Sequence, residues 1–151
     1  MKQEKMNTTL NHYQTNTAQH RRITEIIIPQ GQNSNTIVFS LVASLSKQPA
    51  EKAITKKSET TRWVTWITGR KPNIQQMHNM GASANILRMV HTQKTNDYRW
   101  VLWEALRTGN SHTVIADMKC LSDSDLKDME AAAAIGKCNG IILDSAVGSA
   151  V

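Results

Sequence analysis

The stretch from Asn96 to Asp117 constrains what this chain can fold into more than any other. Asn96 or Asp97 can accept hydrogen bonds from first-turn amides, and Gly109 can take the left-handed conformation that ends a last helical turn. Between these signals Tyr98, Val101, Leu102, Ala105 and Leu106 recur at helical spacing and make one apolar stripe. Thr113-Val-Ile-Ala116 follows, an apolar run that is β-branched at three of its four positions and suits a strand buried on both faces. A helix that leads at once into a buried strand is the repeating unit of a parallel α/β sheet.

The same alternation extends in both directions. Ile23–Ile28 predicts a first strand, stopped by Pro29 and Gly31, and Ile37, Val38, Leu41, Val42 and Leu45 predict a helix over 35–47. Trp63–Ile67 is the next strand, with Thr68-Gly69 turning out of it. Pro72 suits the first position of a helix that Ile74, Met77 and Met80 would pin to the sheet and Gly81 would end. Ile86–Val90 predicts a third strand. Ser122 caps a last helix with Asp125 three residues on, a weaker form of the capping box. Leu126, Met129 and Ala133 mark that helix's inner face, Gly136 closes it, and Gly140–Leu143 is the final strand. The order β-α-β-α-β-α-β-α-β predicts an α/β fold, an open and mostly parallel sheet with helices on both faces. One domain over 23–144 is expected. A polar arm at 1–22, disordered or loosely docked, precedes it and a short flexible tail at 145–151 follows. Residues 46–61, rich in Lys, Ser and Thr, read as a mobile linker.

Folds of this kind often bind nucleotides, yet the phosphate loop is missing. A Walker A loop needs G-x-x-x-x-G-K-[ST], so that backbone amides close on phosphates and a hydroxyl holds magnesium. Gly136-Lys137 is the one Gly-Lys pair; Cys138 follows it, Ala131 stands at the first glycine position, and a helix rather than a strand precedes it. No G-x-G-x-x-G occurs. His78, His91 and His112 are scattered, and Asp123, Asp125, Asp128 and Glu130 gather at a helix N-terminus, where negative charge is favoured in any case. Cys120 and Cys138 have neither the C-x-x-C spacing nor the histidines of a zinc site and read as free thiols in a reducing compartment. These absences predict a protein that is not an enzyme and uses no cofactor or metal. No apolar run approaches the roughly 20 residues needed to span a bilayer, and a cytoplasmic protein is expected.

What remains is surface chemistry. The net charge of +6 is uneven: 47–71 holds seven basic and two acidic residues, and 111–130 holds two basic and five acidic. Trp100, Trp103 and Arg107 form a second stripe on the Asn96 helix, beside the core stripe. They are either boundary packing or a binding hot spot, the role in which Trp and Arg are enriched. Alternation in the second strand puts Trp63, Thr65 and Ile67 on one side and Arg62, Val64 and Trp66 on the other. Arg62, Arg70, Lys71 and Arg88 together are expected to make a basic rim suited to an acidic partner.

The chain resembles the SulA family of bacterial cell-division inhibitors. Arg62-Trp-x-x-Trp-Ile-Thr68 is similar to the family's Arg-Trp-x-x-Trp-Leu-Thr segment, and Ala105-Leu-Arg-Thr-Gly-Asn110 to its Ala-Leu-Arg-Thr-Gly-Asn segment. With the Leu121-Ser-x-x-x-Leu helix and Gly140-Ile-Ile-Leu, the likeness runs from about Ile23 to Leu143. RecA-like relatives, among them the ImuA translesion accessory proteins, carry text similar to the Ala-Leu-Arg-Thr-Gly segment. The resemblance implies a RecA-like α/β fold without a phosphate loop. It also implies synthesis during the SOS response to DNA damage, and binding to the tubulin-like GTPase FtsZ at the end that receives the next subunit. Arg62 and Ile67 match members of the family's binding surface. Three differences stand out: Gln76 replaces a tryptophan, Ile86 replaces a lysine with Arg88 two residues on, and the 46–61 linker is longer. The family's longer tail, which marks SulA for Lon proteolysis, has no counterpart after the final strand, so turnover by Lon or another protease would use a different signal. A homodimer is compatible with the sequence, and nucleic acid is not the expected partner. The alternative is an ImuA-like or RecA-like DNA-damage accessory that uses the same basic residues on nucleic acid or a repair protein.

Overall fold

The computed structural model describes residues 21–46, 63–92 and 98–145. The arm before residue 21, the linker at 47–62 with Arg62, the capping pair Asn96 and Asp97, and the tail after 145 lie outside these residues. Among the described residues five strands alternate with four helices: β1 (Ile23–Ile27), α1 (Ser34–Ser46), β2 (Trp63–Thr68), α2 (Ile74–Asn79), β3 (Leu87–His91), α3 (Tyr98–Arg107), β4 (Ser111–Asp117), α4 (Asp123–Gly136) and β5 (Asn139–Asp144). The strands form one sheet in the order β1-β5-β4-β2-β3, and every neighbouring pair is parallel.

Parallel neighbours need crossovers, and crossovers are right-handed because a twisted strand feeds a helix back onto the sheet only in that sense. The connections after β1 and β2 move towards the β3 edge, and those after β3 and β4 move back towards β1. The first two helices must therefore cover one face and the last two the other. The two cores agree. Tyr98, Leu102 and Leu106 of α3 pack with Met129, Ala132 and Ala133 of α4 over Ile67, Val114 and Ala116. Val38, Phe39 and Val42 of α1 pack with Met77 of α2 over Val64, Trp66 and Ile115. β4 lies between β5 and β2, and Thr113, Val114, Ile115 and Ala116 are all buried, as expected for a central strand.

Several local expectations need revision. β1 is an edge strand paired with β5 alone, and Ile27 is 68% exposed. Glu130 of α4 clamps the start of that strand by accepting from the amides of Arg22 (2.8 Å) and Ile23 (3.1 Å). Arg22, assigned to the arm from the sequence, is thereby held at the edge of the sheet. Pro72 is not the first residue of α2: Asn73 is the cap, its side chain accepting from the Gln76 amide, and Ile74 points to solvent at 58% exposure. Met77 alone of the three expected anchors is fully in the core. Ser122 caps α4 by accepting from the Asp125 amide (3.2 Å), and its hydroxyl also bonds Asp125 Oδ2 (2.8 Å). Gly136 does not close that helix; it is the last helical residue, and Lys137 takes the left-handed position at φ 53°. Glycine is required at 136 for a different reason, because a Cβ there would lie 1.8 Å from the Leu106 carbonyl oxygen where α4 crosses α3.

Candidate functional site

The turn from β1 into α1 occupies the place where a P-loop protein holds phosphate. Here Gly31 has φ +88°, and the Gln32 amide closes a tight turn onto the Pro29 carbonyl (3.1 Å). Asn33 Oδ1 accepts from the Thr36 amide (3.1 Å) and hydroxyl (3.3 Å), so a first-turn donor of α1 is satisfied by the chain itself. Ser34 Oγ donates to Asp117 Oδ2 (3.3 Å) at the end of β4. A helix-opening Ser or Thr and a strand-end Asp are the residues that hold magnesium in P-loop enzymes. The pair is present here without the glycine-rich turn or the lysine, and it ties α1 to the centre of the sheet. Sequence reasoning tested Gly136-Lys137 and missed this pair. The signals were an Asp directly after the apolar run of β4 and a Ser opening the helix after β1.

Between β4 and β2 the connections leave in opposite directions, which is where open α/β sheets place their ligand crevices. A cavity of about 630 Å³ lies there, lined among others by Thr68, Arg70, Tyr98, Asp117, Leu121 and Asp144. Burial pushes the Asp117 carboxyl above its usual range, against the opposing pull of Thr68, Trp66, Ser34 and Arg70. Asp117 Oδ1 and Trp66 Nε1 are both buried with no hydrogen-bond partner among the described residues, so the indole helps the carboxylate only by proximity. Burial, and next the Asp117 charge, raise Tyr98, whose hydroxyl donates to the Thr92 carbonyl (3.2 Å). The Cys120 thiol is pushed up to about 11 by desolvation and by the Asp144 and Glu25 carboxylates. It stays protonated at neutral pH and is a poor nucleophile. His112 Nδ1 contacts the neighbouring Thr113 hydroxyl (2.9 Å). Among the described residues no group of three or more His, Cys, Asp or Glu is arranged to hold a metal ion.

Of the expected basic rim, Arg70 and Lys71 do not converge with Arg88, and Arg62 lies outside the described residues. Arg70 and Lys71 are exposed just past the carboxyl end of β2. Arg88 pairs in register with Thr65, some five positions earlier along the sheet, or roughly 16 Å from Arg70 at the rise of a strand. It is half-buried and donates through Nη2 to Thr65 Oγ1 (3.2 Å), while its Nε is buried with no partner among the described residues. Thr65 is in turn bonded to the Ser111 hydroxyl (2.7 Å), so Arg88 is the outer end of a polar chain across three strands. Ile67 is 0% exposed, packed beneath α3, and offers no surface to a partner; its match in the family's binding surface translates here into a core position. Gln76 ties α2 to α1 through the Thr36 hydroxyl (3.1 Å), and Ile86 packs against the α1 and α2 core.

The second stripe of α3 is open. Trp100 is 65% exposed and stacks on Trp103 with ring centres 5.4 Å apart. Arg107 lies 5.0 Å above the Trp103 ring and pairs with Glu104 (3.3 Å). Trp103 is partly packed against the core below α3, so boundary packing describes one ring and not the other.

A scan against family models and a search of curated proteins found no match. Among solved structures the chain is similar to SulA from Pseudomonas aeruginosa, known from its crystal structure. The TM-score is 0.62 at 18% identity, over 82% of this chain and 98% of that one. The chain has the SulA fold, an α/β sheet of parallel strands covered by helices on both faces.

Proposed function

We propose that this chain is a SulA-like inhibitor of bacterial cell division, which acts in the cytoplasm by binding FtsZ rather than by catalysis. The observation that carries the reading is a fold shared with SulA over 98% of the chain in its crystal structure. The Arg-Trp-x-x-Trp and Ala-Leu-Arg-Thr-Gly-Asn segments support it. The phosphate position of the fold is closed from within by Asn33 and by the Ser34–Asp117 bond, which fits a protein that occludes its partner instead of hydrolysing a nucleotide. Synthesis during the SOS response and arrest of septation follow from the same resemblance. Arg62, Arg70, Lys71 and Arg88 are the cations proposed to meet the acidic surface of FtsZ. Ile67 acts from beneath them, by holding β2 against α3.

The test is sedimentation of FtsZ polymer with GTP, titrated with the full chain. Polymer should fall to a minimum near one inhibitor per FtsZ subunit. Undiminished polymer in the presence of folded protein, with FtsZ from the same organism, would overturn the reading.

A further inference from the structure

We propose that the crevice at the carboxyl end of the sheet is a binding site for a small zwitterion, an ammonium group and a carboxylate joined by an apolar body. The inference goes beyond the division-inhibitor reading and does not depend on it. The cavity of about 630 Å³ has the size of a small-molecule site, and it lies where the connections from β4 and β2 part. One wall is formed in advance. The Tyr98 hydroxyl donates to the Thr92 carbonyl (3.2 Å), and a Cβ at Gly69 would come 3.0 Å from both of those oxygens. The glycine therefore lets the Tyr98 ring settle against the cavity, and Met118 and Leu121 add apolar surface.

The charges of the lining are sorted by depth, and this order selects the ligand. Asp144, at the end of β5, is 8% exposed, and its Oδ2 accepts from the Cys120 amide (3.1 Å). Asp117, at the end of β4, is partly buried and bonded through Oδ2 to Ser34. Among the described residues neither carboxylate forms an ion pair, and Arg70 acts on Asp117 only through space. A carboxylate buried as deeply as Asp144 is ordinarily paired with a cation, and one amide bond leaves it further acceptor capacity. The cations of the lining stand further out. Arg70 and Lys119 are exposed at the mouth, and Arg99 is engaged by Asp125. A ligand that places an ammonium on Asp144, an apolar body on Tyr98 and Leu121, and a carboxylate between Arg70 and Lys119 satisfies each level in turn. Other occupants satisfy only part of it. A polyamine or a partner's lysine must pass the cations at the mouth, and an inorganic anion leaves the Asp144 carboxylate unanswered.

The probe is L-phenylalanine, added to the full chain and followed by titration calorimetry and thermal melts. It should bind with a dissociation constant of about a millimolar or tighter and raise the melting temperature as its concentration rises. N-acetyl-L-phenylalanine lacks the ammonium and phenethylamine lacks the carboxylate; each should bind about tenfold or more weakly. L-Phenylalanylglycine separates two sources of the same chemistry. Binding as tight as that of phenylalanine assigns the site to the amino end of a short peptide, and weaker binding assigns it to a free amino acid. Asp144→Asn keeps an acceptor for the Cys120 amide, so it should melt near wild type while losing phenylalanine by a similar factor. The amide resonances of Gly69, Cys120 and Ser145 should shift at saturation. No binding of either phenylalanine or the dipeptide at about 10 mM overturns the proposal. Equal binding of either truncated probe, undiminished binding by folded Asp144→Asn, or shifts confined to other residues overturns it too. None of these outcomes bears on FtsZ, whose own test is polymer sedimentation.

Discussion

Two single atoms decide how the centre of this molecule is held. At Gly136 the missing Cβ lets α4 approach the Leu106 carbonyl, and no rotamer relieves a contact of 1.8 Å between a Cβ and a backbone oxygen. Gly136→Ala must push the helices apart and disturb the packing of Leu106 and Ala133, at a cost of about 2–4 kcal/mol. Chemical denaturation should show that loss, and a midpoint within error of wild type would mean that the crossing is looser than the structure has it. At Asp117 the carboxyl is raised above its ordinary value by burial. The folded protein therefore holds this proton to a higher pH than the unfolded chain does. Between the ordinary carboxylate value and the raised one, stability falls as pH rises, and above that window the cost is fully present. Asp117→Asn removes the charge and keeps an acceptor for Ser34. It should melt higher than wild type at pH 7, by a shift on the order of a few degrees, and the difference should shrink as pH falls towards 4. A constant difference across that range would exclude Asp117 as the titrating group.

At the scale of elements, each helix is set by signals of a different reach, and this governs what the sequence discloses. Tyr98, Leu102 and Leu106 are legible because one stripe at helical spacing is a property of the helix alone, and the structure buries all three. Ser122 is legible as a cap for the same reason, since its partner is the Asp125 amide three residues away. Ser122→Ala should cost about 1 kcal/mol, read from the denaturation midpoint; a neutral result would mean that Asp125 caps α4 without it. The Ser34–Asp117 bond is illegible in this way, because its partners stand 83 residues apart and meet only once β4 is placed beside β5. Ile67 shows the converse. Alternation gave its side of the strand correctly, with Thr65, but alternation does not tell which side a helix will cover, and α3 covers this one. Arg70 and Arg88 do not stand side by side for a related reason. Arg70 and Arg88 are near in sequence terms, yet strand register sets Arg88 beside Thr65 and leaves Arg70 past the strand's end.

At the scale of the whole molecule, two kinds of surface would share the work of binding, and they are separable by kinetics. The exposed Arg70 and Lys71 carry charge into solvent, where it acts over about a Debye length, roughly 10 Å at 0.1 M salt. Such groups steer the encounter and set its salt dependence more than they hold the complex. An exposed ring such as Trp100, 65% exposed, would act at contact distance, by excluding water, and so would govern how long a complex that covers it survives. The Arg70→Ala, Lys71→Ala double variant should therefore slow association with FtsZ and flatten its dependence on salt, with dissociation nearly unchanged. Trp100→Ala should keep the wild-type association rate and salt slope and speed dissociation about tenfold. Association and dissociation rates followed between 0.05 and 0.3 M potassium chloride separate the two, with spacing chosen so that the Debye length falls by more than half. A Trp100→Ala complex that forms slowly but dissociates at the wild-type rate would show that α3 guides the encounter instead. The division of labour between the cations past β2 and the aromatic face of α3 would then have to be reversed.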